Sequence, residues 1–109
     1  MSTLEYHVLL ALASGTLHGY AIKDAVARES GGAVMPRAGS MYRVIARLMA
    51  LGLVIETDPD ETPEPHPGQP RRYYMLTPHG RTALSAEARR LARTAAMATR
   101  RLGAAEGRS

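Results

Sequence analysis

Apolar positions along the chain change period twice, from helical to alternating and back to helical. Ser2 with Glu5 three residues on is a capping box. It predicts a first helix from Thr3 to Ala13, with Gly15 ending it in the left-handed conformation. Val8 to Ala13 reads Val-Leu-Leu-Ala-Leu-Ala, apolar on every side, and a helix apolar all round is buried all round. In a small domain one face can meet the chain's own core, and the other calls for a second chain. After a short turn, Ser14 to Leu17, a second helix is expected from His18 to Ser30. It carries Ala21, Ile22, Ala25 and Val26 on one face, and Gly31-Gly32 stops it. A third follows Pro36, from Ala38 or Gly39 through Leu51, ended by Gly52. Met41, Val44, Ile45 and Leu48 give its i, i+3, i+4, i+7 apolar side. Ser40, Arg43 and Arg47 cluster within about 60° of one another on a different side.

Leu53 to Thr57 and Arg71 to Leu76 then read as two strands of an antiparallel hairpin. The segment between them, Asp58 to Pro70, holds prolines at 59, 63, 65, 67 and 70. Proline so dense cannot join a ladder, which makes this an extended, solvated loop. Thr77-Pro78 starts a last helix, with Thr as N-cap and Pro at the first helical position. This helix is expected from Pro78 to Leu102, with Gly103 to Ser109 a frayed tail. Leu84, Ala88, Leu91, Ala95, Ala98 and Leu102 recur at spacings of 4, 3, 4, 3 and 4. Such a 3.5-residue repeat marks a helix that packs along another helix. The pattern favours a dimer, with Leu4, Val8 and Leu12 of the first helix joining that seam.

The expected fold is mainly α with a small two-stranded antiparallel hairpin. Residues 1–77 form a helical unit with its hairpin, 78–103 a dimerisation helix, and 104–109 a flexible tail. With 109 residues the chain is a single domain's worth. Charge adds a partner to this picture. Glu56, Asp58, Asp60, Glu61 and Glu64 give a local −5, leaving +9 on the remainder of a chain whose net charge is +4. A basic body with an acidic segment suits an anionic partner, nucleic acid first, although composition alone fits solubility equally well.

The chemistry of enzymes is absent from the pattern. With no Cys, disulfides, Cys-ligated zinc and thiol catalysis are excluded. His7, His18, His66 and His79 lie too far apart for local metal-ligand spacing, and His18, before a helix, suits a backbone hydrogen bond better. No Ser-His-acid arrangement, phosphate loop or EF-hand emerges. No catalytic residue, metal or cofactor is expected. No apolar run approaches a membrane span and no secretory signal is read, so a cytoplasmic protein without membrane contact is expected.

Two helices joined by a turn, followed by a basic-faced helix and a hairpin, suit DNA. A helix fits the major groove, where Arg forks read guanine edges or grip phosphate. On the third helix alone, Arg43 and Arg47 equally suit a solvated face. Arg37 just before it, and Arg71 and Arg72 at the base of the hairpin, tilt the balance toward DNA.

Four motifs carry a resemblance. They are Leu17-His18-Gly19-Tyr20, Gly39-Ser40-Met41-Tyr42-Arg43, Leu51-Gly52-Leu53-Val54-Ile55-Glu56, and Arg71-Arg72-Tyr73-Tyr74-Met75-Leu76-Thr77 with Gly80-Arg81 after it. In this order and at these separations the chain, from Leu4 to Leu84, resembles the PadR family of bacterial transcriptional regulators. Its single Ala-rich last helix resembles the family's short subgroup, whose dimers form through the first and last helices. The resemblance implies a winged helix-turn-helix homodimer that represses promoters at an inverted-repeat operator and is released by a small-molecule effector or a stress signal. Carried over by motif, Ser40, Tyr42 and Arg43 face double-stranded DNA, while Arg71 and Arg72 meet the backbone at the wing. Gly39 permits a close backbone approach or a cap, and Tyr20 and Tyr74 are expected in the core. The acidic tip of the wing is expected to stay away from the duplex. The last helix lacks aromatic residues, which favours close helix approach over a drug pore. The alternative from the residues is a winged-helix protein–protein module that does not bind DNA.

Overall fold

The computed structural model describes residues 1–58 and 72–106. Four helices and three short strands follow one another as α1 (Thr3–Leu12), β1 (Leu17–His18), α2 (Gly19–Glu29), α3 (Ala38–Ala50), β2 (Val54–Thr57), β3 (Tyr73–Leu76) and α4 (Pro78–Glu106). The capping box forms as the sequence predicts. Glu5 N–H donates to Ser2 Oγ at 3.1 Å and Ser2 N–H donates to Glu5 Oε1 at 2.7 Å. The C-cap of α1 is Ala13 in the right-handed region, and Gly15, at φ 149°, serves the following turn instead.

The sheet has three strands rather than the expected two, in the order β1-β3-β2. His18 is the N-cap of α2, and its extended backbone lays Leu17 and His18 along the edge of β3. Leu17 pairs with Tyr74 and His18 with Tyr73, whose ring meets the His18 ring edge-on at 5.7 Å. A strand of two residues has no alternation to read, so only the cap geometry reveals it. The hairpin strands are each shorter than the apolar pattern suggests; Leu53 turns the chain and Arg72 only precedes the ladder. Arg71, His66 and the proline-rich segment expected between the strands lie outside the described residues.

One core joins these elements. Val8, Leu9 and Leu12 of α1, Ile22 and Val26 of α2, Met41, Ile45 and Leu48 of α3, and Val54, Tyr74 and Leu76 of the sheet are all buried. Val8 and Leu12, expected in a dimer seam, are thus consumed by the chain's own core. Alternation in the hairpin puts Ile55 and Met75, cross-strand partners, on its exposed outer face.

The end of α3 sets the direction of the hairpin. Gly52 takes φ 75°, and Leu53 N–H reaches Leu48 O at 2.9 Å while Gly52 N–H reaches Met49 O at 3.0 Å. These are the paired bonds of a Schellman motif, which needs a left-handed residue there. Thr77 closes the far side: its hydroxyl donates to Gly52 O at 2.6 Å and accepts from Gly80 N–H at 2.9 Å. Helix α4 then runs through Gly103 to Glu106, past the expected stop at Leu102. One glycine costs a helix only about 1 kcal/mol, and the alanines beyond it continue the turn.

Candidate nucleic-acid interface

Helix α3 buries Met41, Ile45 and Leu48 and leaves its other side to solvent. On that outer side the structure brings together three of the predicted residues, Ser40, Arg43 and Arg47. Arg43 Nη2 lies 3.4 Å from Ser40 Oγ, a contact at the long limit of a hydrogen bond that still aligns the two side chains. Arg37 is the exposed N-cap of α3 and makes no side-chain capping bond. Gly39 sits exposed in the first turn, where an added Cβ would meet only the Arg43 side chain at 3.9 Å. The positive charges therefore line one exposed ridge, with the unpaired N–H groups of a helix start at one end.

Arg47 has a partner that sequence spacing did not suggest. Its Nε donates to Glu5 Oε2 at 2.8 Å, across 42 positions of sequence. The Ser2 N–H, then the Arg47 guanidinium, hold the Glu5 carboxyl below its ordinary range against the opposing effect of burial. The signal was available only as a buried-side carboxylate: Glu5 follows the face of α1 that also carries Val8 and Leu12, one turn away.

Tyr42 points away from the Ser40–Arg43 side and lies across Gly19 at the start of α2. A Cβ at position 19 would collide with the Tyr42 hydroxyl. This close approach explains a glycine at the first position of α2. Tyr42 stays about half exposed, and Tyr20, the residue after Gly19, is 74% exposed. The expectation of Tyr20 in the core is thus overturned: on α2 it falls opposite Ile22 and Val26. Tyr74 is buried as expected, and burial, then the Glu56 charge, raises its hydroxyl pKa. His18 Nδ1 accepts from Ala21 N–H at 3.1 Å, the backbone role read for it.

At the hairpin, Arg72 stands exposed with a loose ion pair to Glu56, Nη1 to Oε1 at 3.9 Å. Arg71 lies outside the described residues, as do Asp60, Glu61 and Glu64 of the acidic segment. Of the residues expected in the dimer seam, Leu4, Leu84, Ala88 and Leu91 are half-buried, and Ala95, Ala98 and Leu102 are exposed. The outer face of α1 carries Tyr6, His7 and Leu10 instead of Val8 and Leu12. There the His7 Nδ1 is enclosed with no hydrogen-bond partner among the described residues. Among the described residues no group of three His, Asp or Glu could hold a metal ion, and no helix is long and apolar enough to cross a membrane.

A helix pair, an exposed basic third helix and an antiparallel sheet that closes against it define a winged helix-turn-helix. Residues 8–86 match the transcriptional regulator PadR-like family, and the chain belongs to that family. Its members are transcriptional regulators, not enzymes. An uncharacterized 37.1 kDa protein in transposon TN4556 of Streptomyces fradiae is 44% identical over 86 residues, 79% of this chain. The chain spans 22% of that relative's length. Among solved structures, a PadR family transcription regulator from Clostridium difficile superposes with a TM-score of 0.75 at 21% identity, covering 93% of this chain and 99% of that one. Bacillus subtilis PadR in complex with operator DNA superposes with a TM-score of 0.65 at 24% identity, over 78% of this chain and 46% of that one.

Proposed function

We propose that the chain is a sequence-specific DNA-binding regulator, a cytoplasmic homodimeric repressor that is released from its operator by a small molecule or a stress signal. The observation that carries DNA binding is the exposed basic ridge of α3, with Ser40 and Arg43 aligned on it, Arg37 exposed at its N-cap and Arg72 exposed on the hairpin. A ridge of this kind fits the major groove: Arg43 reaches a base edge, while Arg37 and Arg72 take phosphates. The operator complex of Bacillus subtilis PadR supports the same docking here. Arg71, outside the described residues, is assigned to the phosphate backbone by motif alone.

Association of two chains is supported by α4, whose apolar repeat continues where the helix leaves the core. Ala95, Ala98 and Leu102 are exposed among the described residues, Leu102 to 65%. Tyr6, His7 and Leu10 of α1 complete that surface. Two-fold symmetry then implies an inverted-repeat operator with half-sites about 34–36 Å apart.

A protein-binding module is the second reading, favoured by the exposed Ile55–Met75 pair on the hairpin. Arg43→Ala and Arg72→Ala, compared on duplex DNA over a salt series, separate the two. DNA docking predicts that Arg43→Ala costs about 1–3 kcal/mol and relaxes preference at one position. Arg72→Ala weakens all sequences alike and lowers the salt slope by about one unit. Unchanged binding in both variants would leave the protein-binding module.

A further inference from the structure

We infer that Glu5 is a positioning residue for DNA contact, aiming Arg47 of α3 at a phosphate through an ion pair between α1 and the DNA-facing helix. The inference rests on the DNA-binding reading of α3. Its starting point is an asymmetry in the pair. The Glu5 side chain is 12% exposed and the Arg47 side chain 67%. The contact is made by Nε at 2.8 Å, the nitrogen nearest the Arg stem. The two terminal nitrogens make no hydrogen bond among the described residues, on a side chain that is mostly exposed. A guanidinium gripped at Nε by a buried carboxylate is a donor fork held in one plane, and planar forks suit phosphate oxygens.

Glu5 is itself held still. Its other oxygen accepts Ser2 N–H at 2.7 Å, and its own N–H is capped by Ser2 Oγ. Arg47 lies on the α3 wheel between Ser40 and Arg43, two turns beyond Ser40, or about 10 Å along the axis. At that distance a helix whose first turns enter the groove reaches the sugar–phosphate edge rather than another base. An unaided Arg would lose rotamer freedom on every encounter, whereas this one is ordered before DNA arrives. The same pair fastens α3 to α1, the helix whose outer face is proposed to meet a second chain, so the spacing of the two DNA-facing helices follows from the packing of α1.

The test uses full-length wild type, Arg47→Ala, Glu5→Gln, the double variant and Ser2→Ala on one duplex, by fluorescence anisotropy over a salt series, with thermal melts alongside. Arg47→Ala should lower affinity on the order of tenfold for all sequences and reduce the salt slope by about 0.9, the contribution of one phosphate. Glu5→Gln should lose several-fold in the wild-type background and nothing further in the Arg47→Ala background. Ser2→Ala loosens the α1 cap but keeps the ion pair, so it should lower the melting temperature and leave the salt slope at its wild-type value. Wild-type binding with an unchanged slope in Arg47→Ala would overturn the inference while leaving the DNA-binding reading intact. Equal losses from Glu5→Gln with and without Arg47 would overturn it too, because Glu5 would then act through general stability. A wild-type protein that binds no duplex at any salt would overturn the DNA-binding reading itself.

Discussion

Gly80→Ala and Gly103→Ala place the same substitution in the same helix with opposite expected signs. Helix propensity favours Ala over Gly by about 1 kcal/mol inside a helix, and Gly103 has nothing within 4 Å of an added Cβ. Gly103→Ala should therefore stabilise by roughly 0.5–1 kcal/mol. At Gly80 the added Cβ would run into the Leu53 carbonyl, with the Leu53 carbonyl carbon 2.9 Å away. The obstacle is backbone, and it cannot rotate aside. The first turn of α4 must retreat, and overpacking of this kind costs about 1–3 kcal/mol. The same junction holds Thr77 N–H on Leu53 O at 3.1 Å and the Thr77 hydroxyl on Gly52 O at 2.6 Å. Stretching these two bonds adds roughly 1 kcal/mol each. After the propensity gain is subtracted, Gly80→Ala should destabilise by about 2–4 kcal/mol. Urea titrations at one fixed protein concentration measure both variants, since association and folding are linked in a dimer. Stabilisation by Gly80→Ala would refute the close approach of α4 to the start of β2.

Three further expectations follow from charge and packing. Because the folded Glu5 carboxyl sits below its ordinary pKa, its contribution to stability is complete above the unfolded carboxylate range and is lost as pH falls through the folded value. Wild type should thus lose more stability than Glu5→Gln on acidification from pH 6 to pH 3, measured by urea midpoints. Leu91→Ala, at the point where α4 leaves the core, should weaken association and folding together; sedimentation over a concentration series reads the first and thermal melts the second. Converting Asp58, Asp60, Glu61 and Glu64 to Asn or Gln should strengthen DNA binding at low salt without changing the preferred sequence, and the gain should fade as the Debye length shrinks from about 10 Å at 0.1 M to about 3 Å at 1 M.

Periodicity made the four helices and the hairpin legible, because burial of one face dictates both. Ser2–Glu5, Gly52 and Thr77 also announced their caps, since capping depends on residues a few positions apart. What escaped the sequence depends on contacts between distant segments. Two residues of β1 join the sheet only because the His18 cap lays them beside Tyr73 and Tyr74. Tyr20 is large and amphipathic, and nothing local distinguishes its exposed place from the buried one of Tyr74. The uniformly apolar run in α1 hides which side meets the core, and Val8 and Leu12 turn inward to it. On α3 the residues Ser40, Arg43 and Arg47 were found by helical spacing, whereas the Glu5 partner of Arg47 is set by how α1 crosses α3.

Sequencing the genomic DNA fragments retained by the purified protein tests the central claim most directly. A DNA-reading α3 in a two-fold dimer predicts convergence on an inverted repeat with half-site centres about one helical turn, roughly 34–36 Å, apart, and loss of that enrichment with Arg43→Ala. Fragments that match the input library, or enrichment that survives Arg43→Ala unchanged, would contradict it.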